Sequence, residues 1–304
     1  MGCWLRRRLV GQFSAGKRPR SSSSLPPALL IEVAGKRILY SGDFRVHGRK
    51  ASLVQRFMAS PPSDIDVLLM DGTNLGSDKL CGNEGDLENN FVDLFRATPG
   101  RAFVAWSAQN IDRTVTLYRA CKRSGRTLVI DLYTAEVLEL LGEHGRLPQP
   151  GWPNLKVVIT RAFSRMYRQK GSGAFVDRMA THGISARKLG RDAAKWVVMI
   201  RPSLIRDYEA AGIIPSKEDA WSWSIWQGYL TKKDGIRVKT WLDGGGAKAL
   251  HLHTSGHASA DDLHVFAKAV GAKVIVPIHG AAWDSEQYAF PRIERLKDGQ
   301  PLHF

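Results

Sequence analysis

The amino-acid sequence predicts an α/β fold in which parallel strands end on chemically active side chains. Apolar strands and amphipathic helices alternate between residues 99 and 200, which is the pattern of βαβ units and a parallel sheet. Predicted strands outside that stretch are followed closely by Asp43, Asp71 and His279. Because ligands bind at the carboxyl ends of strands in an open α/β sheet, we expect a functional site in these loops.

The composition is that of a basic globular protein. Of the 304 residues, 43% are hydrophobic and 24% are charged, and 44 Lys and Arg against 29 Asp and Glu leave a net charge of +15. This charge favours a polyanionic partner such as nucleic acid, although a solvated basic surface gives the same count. Cys3, Cys81 and Cys121 are odd in number and lack metal-ligand spacing, which argues against disulfides and a cysteine zinc site and favours a reducing, cytoplasmic location. No apolar run is long enough for a membrane helix, so we expect no membrane partner.

Residues 1–27 form a basic segment that contains no Asp or Glu. Its arginines and serines are typical of an organelle transit peptide, and a nucleic-acid-binding arm or unselected sequence would have the same composition. We predict that this segment is disordered and that the folded part begins at residue 28.

A β-hairpin is predicted at the start of the folded part, because two apolar runs, 29–33 and 37–40, flank a turn that contains Gly35. Asp43 follows the second run after a serine and a glycine. At such a position an Asp is either a metal ligand or part of an ordinary turn. The next predicted strand also ends on an acid, Asp71, and this second acid favours the metal-ligand interpretation.

The middle of the chain has the alternation of an α/β domain. The predicted strands are 66–70, 102–106, 127–130, 155–160 and 195–200, and the predicted helices are 110–123, 135–141 and 174–181. An aromatic-rich stretch follows, with Trp221, Trp223, Trp226 and Tyr229. Such side chains stack on nucleic-acid bases in some proteins. Aromatic clusters more often belong to a core, and we predict that these four are core residues.

The C-terminal part is organised around a histidine-containing turn. A predicted strand, 248–252, leads into the segment 253–259, whose last residue begins a Ser-x-x-Asp pattern typical of a helix N-terminus. The predicted helix covers 261–270, and the strand that follows, 273–277, leads to His279. Two loops after predicted strands therefore carry histidines.

These motifs together resemble those of a known family. Residues 42–44 (Gly-Asp-Phe), 71–73 (Asp-Gly-Thr), 255–257 (Ser-Gly-His) and 277–280 (Pro-Ile-His-Gly) are similar in type, order and spacing to the later motifs of the β-CASP branch of the metallo-β-lactamase fold, which includes ribonuclease J. Residues 107–113 are also similar to the start of the β-CASP cap domain. The resemblance covers the chain after its basic N-terminal segment.

The resemblance implies a two-zinc hydrolase that cleaves phosphodiester bonds in RNA, with its active site between the core and the inserted cap. Asp43 matches the aspartate that bridges the two metals, and His279 matches a histidine ligand. His257 matches a histidine placed to transfer a proton, and Asp71 matches the acid that orients it. Histidine at position 279 resembles the RNA-processing members of the family.

Five further residues are predicted to hold substrate phosphates. Ser107, Asn110 and Arg113 lie at the start of a predicted helix, and Ser255 and Gly256 lie in the histidine-containing turn. A structural role for the first group is equally open. In that alternative, Asn110 caps the helix and Arg113 lies on its exposed side.

The chain departs from the family in its histidines. The family has a His-x-His-x-Asp-His segment before the Gly-Asp motif, whereas the first of the nine histidines here is His47. The single His-x-His, formed by His251 and His253, lacks the Asp-His that should follow, so we interpret it as a polar pair beside the site. The predicted domains are a disordered segment 1–27, a partial αββα metallo-β-lactamase core formed by 28–95 and 245–304, and an α/β β-CASP cap at 96–244.

A partial core predicts that one side of its sheet is uncovered and that the protein is marginally stable. Three hypotheses for function follow. The chain is a truncated zinc-dependent RNA nuclease whose activity is left open, a non-catalytic RNA-binding remnant, or a metallo-hydrolase of small molecules, which the cap and the charge disfavour. Whether the missing segment is encoded upstream of the start, and whether the chain forms a homodimer, are left open.

Overall fold

The computed structural model describes residues 6–9, 28–77, 81–143, 145–284, 290 and 292–304, with the backbone alone for 6–9. Two compact units make up the chain. Unit 1 consists of Met1–Asn83 and Ser255–Phe304, and unit 2 consists of Glu84–Thr254. None of the described helices is both long enough and apolar enough to cross a membrane.

The described residues contain twelve strands and nine α-helices. The strands are β1 (Arg6–Leu9), β2 (Leu29–Val33), β3 (Lys36–Tyr40), β4 (Val67–Met70), β5 (Ala102–Ala105), β6 (Thr127–Ile130), β7 (Leu155–Ile159), β8 (Gly183–Ser185), β9 (Trp196–Met199), β10 (Ala220–Trp223), β11 (Lys248–Ala249) and β12 (Val274–Pro277). The α-helices are α1 (Ala51–Ala59), α2 (Glu84–Ala97), α3 (Ile111–Ser124), α4 (Leu132–Gly142), α5 (Arg161–Gln169), α6 (Gly173–Ala180), α7 (Pro202–Ala210), α8 (Lys233–Gly244) and α9 (Ala260–Val270). Three 3-10 helices are Ala186–Gly190, Ala193–Lys195 and Gln227–Thr231.

Unit 1 is built on a five-stranded sheet with the order β1, β2, β3, β4, β12. The predicted hairpin is confirmed, because β2 and β3 pair antiparallel. β3, β4 and β12 run parallel, with Tyr40 opposite Leu69 and Pro277 opposite Met70. These three strands therefore end side by side. We predicted disorder for the basic segment 1–27. Its described part is β1, which pairs antiparallel with β2. The rest of the segment lies outside the described residues.

Apolar clusters lie on both faces of the part of the unit 1 sheet that β3, β4 and β12 form. One face packs on α1 and α9 through a cluster that includes Leu39, Leu68 and Phe266. On the other face, Val67, 1% exposed, and its neighbours in β12 pack against Leu296 and other residues near the C-terminus. The prediction of an uncovered apolar side is therefore wrong, because the C-terminal segment packs against it.

Unit 2 is an α/β domain with a seven-stranded sheet in the order β11, β10, β5, β9, β6, β7, β8. Every pairing in it is parallel, as the alternating pattern predicts. Separate apolar clusters hold helices against the sheet. One includes Phe91 of α2 and Leu117 of α3, and the other includes Tyr208 of α7 and Leu242 of α8.

The predicted domain boundaries at 95 and 245 differ from the observed ones, which follow residues 83 and 254. The first boundary moves because α2 packs on α3 within the core of unit 2. The second moves because β11 extends the unit 2 sheet beside β10. The strand predicted at 248–252 is only two residues long, and both are exposed.

Candidate functional site

Three loops at one edge of the unit 1 sheet hold the predicted chemistry. Asp43 follows β3, Asp71 directly follows β4, and His279 lies two residues after β12. Because these strands are parallel neighbours, their carboxyl ends bring the three loops together. His257 reaches the same place from the loop before α9, where Ser259 caps the helix by accepting a hydrogen bond from the backbone N–H of Asp262. We call Asp43, Asp71, His257 and His279 the acid–histidine group.

Asp71 is the centre of the acid–histidine group and is 2% exposed. Its Oδ2 accepts a hydrogen bond of 2.9 Å from Nδ1 of His257. Its Oδ1 accepts hydrogen bonds from the Thr73 hydroxyl at 2.6 Å and the Thr73 backbone N–H at 3.2 Å, and lies 3.4 Å from Nδ1 of His279. Because an ionised carboxylate only accepts, the proton of His257 lies on Nδ1. Nε2 of His257 is thus left to act on a substrate.

The hydrogen bonds favour an ionised acid beside a readily protonated imidazole. Burial raises the pKa of Asp71, but the hydrogen bonds from His257 and Thr73 outweigh it and leave that pKa below its ordinary value. The hydrogen bond to Asp71 raises the pKa of His257 against the opposing effect of burial, and the charges of Asp71 and Asp43 add to the increase. Each member of the pair therefore stabilises the charged form of the other.

Asp43, Asp71 and His279 each place one donor atom within 4.8 Å of the others. Within the described ranges, they are the one group of three or more side chains that could hold a metal ion. The 3.4 Å between Oδ1 of Asp71 and Nδ1 of His279 is close to the separation of about 3.3 Å expected for two tetrahedral ligands about 2.0–2.1 Å from zinc. Two carboxylates and one imidazole are a suitable ligand set for a divalent cation. Such a set leaves one coordination position for water or substrate, as in catalytic zinc sites.

The structure changes the predicted role of Asp71. The sequence assigned it to orienting His257 alone and left Asp43 and His279 as an incomplete ligand pair. Asp71 contacts both histidines, and its carboxylate could serve as a third ligand beside Asp43 and His279. In the part of the chain that the structure describes, the ligand set serves one cation, and the second zinc implied by the family resemblance has no second group there.

The turn that carries His257 is stabilised by hydrogen bonds from Asn74, a residue that the sequence did not reveal as part of the site. The two N–H groups of its side-chain amide are shared among three acceptors, Oγ of Ser255 at 3.0 Å, the carbonyl of His257 at 3.1 Å and the carbonyl of Ala258 at 2.9 Å. Oγ of Ser255 also accepts from the backbone N–H of His257 at 3.1 Å. Ser255 therefore positions the turn. Gly256 is exposed, with open space above its Cα.

Two basic side chains hold the same turn from the loop after Asp43. A guanidinium N–H of Arg45 donates to the carbonyl of Ser255 at 3.0 Å, and Nε2 of His47 lies 2.9 Å from the same oxygen. The signal for them in the sequence was their position, two and four residues after Asp43. Because they contact a backbone carbonyl, residue type alone did not reveal this role.

The loops after β4 and β12 are held together by two glycines and a tryptophan. A Cβ at Gly72 would overlap the indole of Trp283, and a Cβ at Gly280 would overlap the backbone carbonyl of Gly72. Trp283 is 2% exposed, and its Nε1–H donates to the carbonyl of His279 at 2.7 Å. Close backbone approach at these glycines therefore sets the distance between Asp71 and His279.

The three residues of the predicted cap that we expected to contact phosphate lie in unit 2, and they differ in exposure and in hydrogen bonding. Ser107 is exposed, and Asn110 caps α3 by accepting from the backbone N–H of Arg113 at 3.1 Å. Arg113 itself is 0% exposed, and its guanidinium lies 3.3 Å from Glu84 and donates to the carbonyl of Ser224 at 3.1 Å. Placing Arg113 on the exposed side of the helix was therefore wrong, and a buried, ion-paired guanidinium is not available to a phosphate.

The histidine pair of unit 2 is not part of the metal-ligand set. The rings of His251 and His253 are 6.0 Å apart between centroids. Burial lowers the pKa of His253 to about 4, and the positive charge of Arg113 adds to this decrease. A neutral imidazole held in this way is consistent with the polar pair that the sequence predicted.

The sequence has distant relatives among known proteins. The chain is 26% identical over 271 residues to ribonuclease J of Mycobacterium tuberculosis, in strain CDC 1551 / Oshkosh and in strain ATCC 25618 / H37Rv. The chain is distantly similar to ribonuclease J. The match covers 84% of the chain and 45% of each relative, so the chain spans about half the length of these curated relatives.

The fold also has a counterpart among solved structures. A protein of unknown function from Enterococcus faecalis V583 superposes with a TM-score of 0.68 and 20% sequence identity. The superposition covers 90% of this chain and 60% of that chain. No protein-family model matches the sequence.

Proposed function

We propose that the chain is a metal-dependent hydrolase of the β-CASP, metallo-β-lactamase type that cleaves phosphodiester bonds in RNA. The observation that carries this proposal is the convergence of Asp43, Asp71 and His279 within 4.8 Å, with His257 hydrogen-bonded to Asp71. The similarity to ribonuclease J and the net charge of +15 support RNA as the substrate.

Asp43, Asp71 and His279 would hold the cation, and we propose zinc because an imidazole and two carboxylates suit it. When bound, the cation supplies a Lewis acid for phosphoryl oxygens and acidifies water. Asp43 and His279 are exposed, so the open side of the ligand set faces solvent and admits a substrate.

His257 supplies proton transfer in this proposal. Asp71 fixes the imidazole through Nδ1 and favours its protonated form. A protonated Nε2 donates to the oxygen that leaves when the phosphodiester bond breaks. The side chain of His257 is 30% exposed, which leaves that nitrogen within reach of a bound phosphate.

Substrate contacts are proposed at two places. In unit 1, the exposed backbone at Gly256 allows close approach of a phosphate, with Ser255 holding the turn in shape. In unit 2, Ser107 and Asn110 at the start of α3 remain proposed phosphate contacts. Arg113 is not included, because it is buried against Glu84.

The test is cleavage of end-labelled single-stranded RNA by the full chain, with zinc and after chelation. We expect cleavage with metal, none after chelation, and a loss of at least about 100-fold in Asp43→Asn or His279→Ala, since two protein ligands no longer make a catalytic site. Asp261→Asn, at an exposed acid in the first turn of α9, is the matched control and should cleave normally. Metal-independent cleavage, or equal rates in all variants, would contradict the proposal.

A second candidate is RNA binding without cleavage. The observation in its favour is that the described residues form ligands for one cation, whereas the resemblance implies two. This candidate predicts RNA affinity that falls with salt and does not depend on metal. Retention of affinity and absence of cleavage, with or without zinc, would favour it over the hydrolase.

A further inference from the structure

Two aromatic side chains of unit 2 lie on the surface, although the sequence predicted them to be core. Trp226 is 56% exposed and Tyr229 is 52% exposed. Their neighbours Trp221 and Trp223, 3% and 6% exposed, are core residues as predicted. The rings of Trp226 and Tyr229 lie 5.3 Å apart at 90°, so they form an edge-to-face pair open to solvent.

The exposed pair is held rigidly by its backbone. A Cβ at Gly228 would overlap the indole of Trp226, so the ring lies directly on that glycine. The carbonyl of Trp226 accepts from Nε1 of the buried Trp223 at 3.2 Å and from the backbone N–H of Tyr229 at 3.0 Å. A Cβ at Gly235 would overlap the carbonyl of Tyr229, so the start of α8 packs tightly on the 3-10 helix that contains Tyr229 and follows Trp226. Little conformational freedom is left for a ligand to remove on binding.

The surroundings in sequence are basic. Residues 226–240 contain four basic side chains and one acid. Lys232, Lys233 and Arg237 are exposed at the start of α8, and Lys239 is paired with Asp243 one turn later. This excess of positive charge favours a polyanion over a basic or neutral protein partner.

We propose that Trp226 and Tyr229 stack on bases of single-stranded RNA while the lysines and arginine at the start of α8 contact its phosphates. Exposed aromatic faces bordered by cations suit unpaired bases, because every base offers a flat π face. A duplex hides those faces in its own stack and should use the phosphate contacts alone. The inference takes RNA as the ligand from the proposed function and adds a second contact surface, which defines single-stranded RNA as the preferred form.

The experiment measures binding of a fluorescent oligo(U) of about 16 nucleotides, near the upper end of single-module site sizes, to the full chain by anisotropy with chelator present. We expect Trp226→Ala to weaken binding by about 5- to 150-fold, the usual range for loss of one stacked base. Trp226→Phe should retain most of the affinity. Ile214→Ala, which removes an apolar side chain that is 72% exposed elsewhere in unit 2, is the matched control and should bind normally.

Two further measurements distinguish base stacking from nonspecific electrostatic attraction. A duplex RNA of equal length should bind Trp226→Ala and the parent chain alike. The slope of log affinity against log salt should be unchanged in Trp226→Ala and shallower by about 0.7 in Lys233→Ala, since one phosphate contact is lost. Circular dichroism confirms that each variant is folded.

The outcomes distinguish this inference from the proposed function. Binding of oligo(U) by Trp226→Ala at the parent affinity would overturn the inference and leave the proposed function standing. Equal weakening for single-stranded and duplex RNA would overturn stacking as the cause. If Trp226→Ala changes the oligomeric state and not RNA affinity, the surface is a protein interface and the inference is overturned. Absence of RNA binding by the parent chain would remove the proposed function and the inference together.

Discussion

The acid–histidine group of unit 1 and a buried ion pair of unit 2 use similar side chains under different conditions of burial. In unit 2, Glu84 and Arg113 face each other at 3.3 Å with side chains 1% and 0% exposed. In unit 1, the side chain of Asp71 is 3% exposed, but its partners His257 and His279 are 30% and 57% exposed. Both members of the Glu84–Arg113 pair are therefore shielded from solvent. In the acid–histidine group, the Asp71 carboxylate is buried and the two imidazoles reach solvent.

This difference in burial distinguishes charged side chains with a role in folding from charged side chains that can take part in binding or catalysis. A fully buried ion pair has a role in folding, and removing one member leaves the other uncompensated. A buried acid whose partners reach solvent can bind an ion, hold an imidazole and still meet a substrate. Arg113, which the sequence suggested as a phosphate contact, belongs to the first class, and Asp71 belongs to the second.

The largest effect on stability is expected when one member of the buried Glu84–Arg113 pair is removed. Arg113→Ala should lower the free energy of unfolding by about 3–5 kcal/mol, because Glu84 loses its buried counter-charge. The measurement is urea unfolding followed by circular dichroism. The control is Arg168→Ala, whose ion pair with Asp177 is exposed on both sides and screened by solvent, so its loss should change stability little. Equal small losses in the two variants would contradict the distinction drawn between these charges.

A smaller effect is expected from the glycine contact that sets the geometry of the acid–histidine group. Gly280→Ala should cost about 1–3 kcal/mol, because its φ is +92° and its Cβ would overlap the carbonyl of Gly72. It should also weaken metal binding, since Asp71 and His279 are forced apart. Gly244→Ala, at a glycine whose Cβ would meet nothing within 4 Å, is the control. Metal affinity that is unchanged in Gly280→Ala would show that this contact does not control the ligand geometry.

The smallest effect is a pH dependence of stability from His253, which lies near Arg113, His251 and Glu84. Burial lowers its pKa from 6.5 to about 4 in the folded chain. Below pH 6.5 the unfolded chain therefore binds a proton that the folded chain does not, so stability is lost as the pH falls from about 6.5 towards 4. We expect a loss of about 1 kcal/mol, reduced by the partial exposure of the ring.

The measurement for His253 is the free energy of unfolding at pH 7 and pH 5 in the parent chain and in His253→Gln. The variant should lose less stability on acidification than the parent. His303→Gln, at an exposed histidine near the C-terminus, should behave like the parent. An identical pH dependence in His253→Gln and the parent would show that His253 does not contribute.

The sequence predicted the elements whose signals are local. The hairpin, the parallel strands of unit 2 and the N-cap at Ser259 follow from short patterns, and the loops with Asp43 and His279 follow from strands that end nearby. Helix α5 was missed, although Phe163, Met166 and Tyr167 have the i, i+3, i+4 spacing of an amphipathic helix.

What was not predictable depends on partners distant in sequence. The proposed ligand role of Asp71 depends on the parallel pairing of β4 with β12, about two hundred residues later. The buried position of Arg113 depends on its ion pair with Glu84, 29 residues earlier. Trp226 has the same residue type as the core tryptophans beside it, and its exposure comes from the glycine beneath its ring.

The most direct test of the account is a calorimetric titration of the full chain with Zn²⁺, in the parent and in Asp71→Asn. We predict one zinc ion bound per chain and an affinity at least about 100-fold lower in Asp71→Asn, because the buried acid supplies one of three ligands. A parent chain that binds no zinc, or an Asp71→Asn variant that binds it with the parent affinity, would contradict the assignment of Asp43, Asp71 and His279 as a metal site.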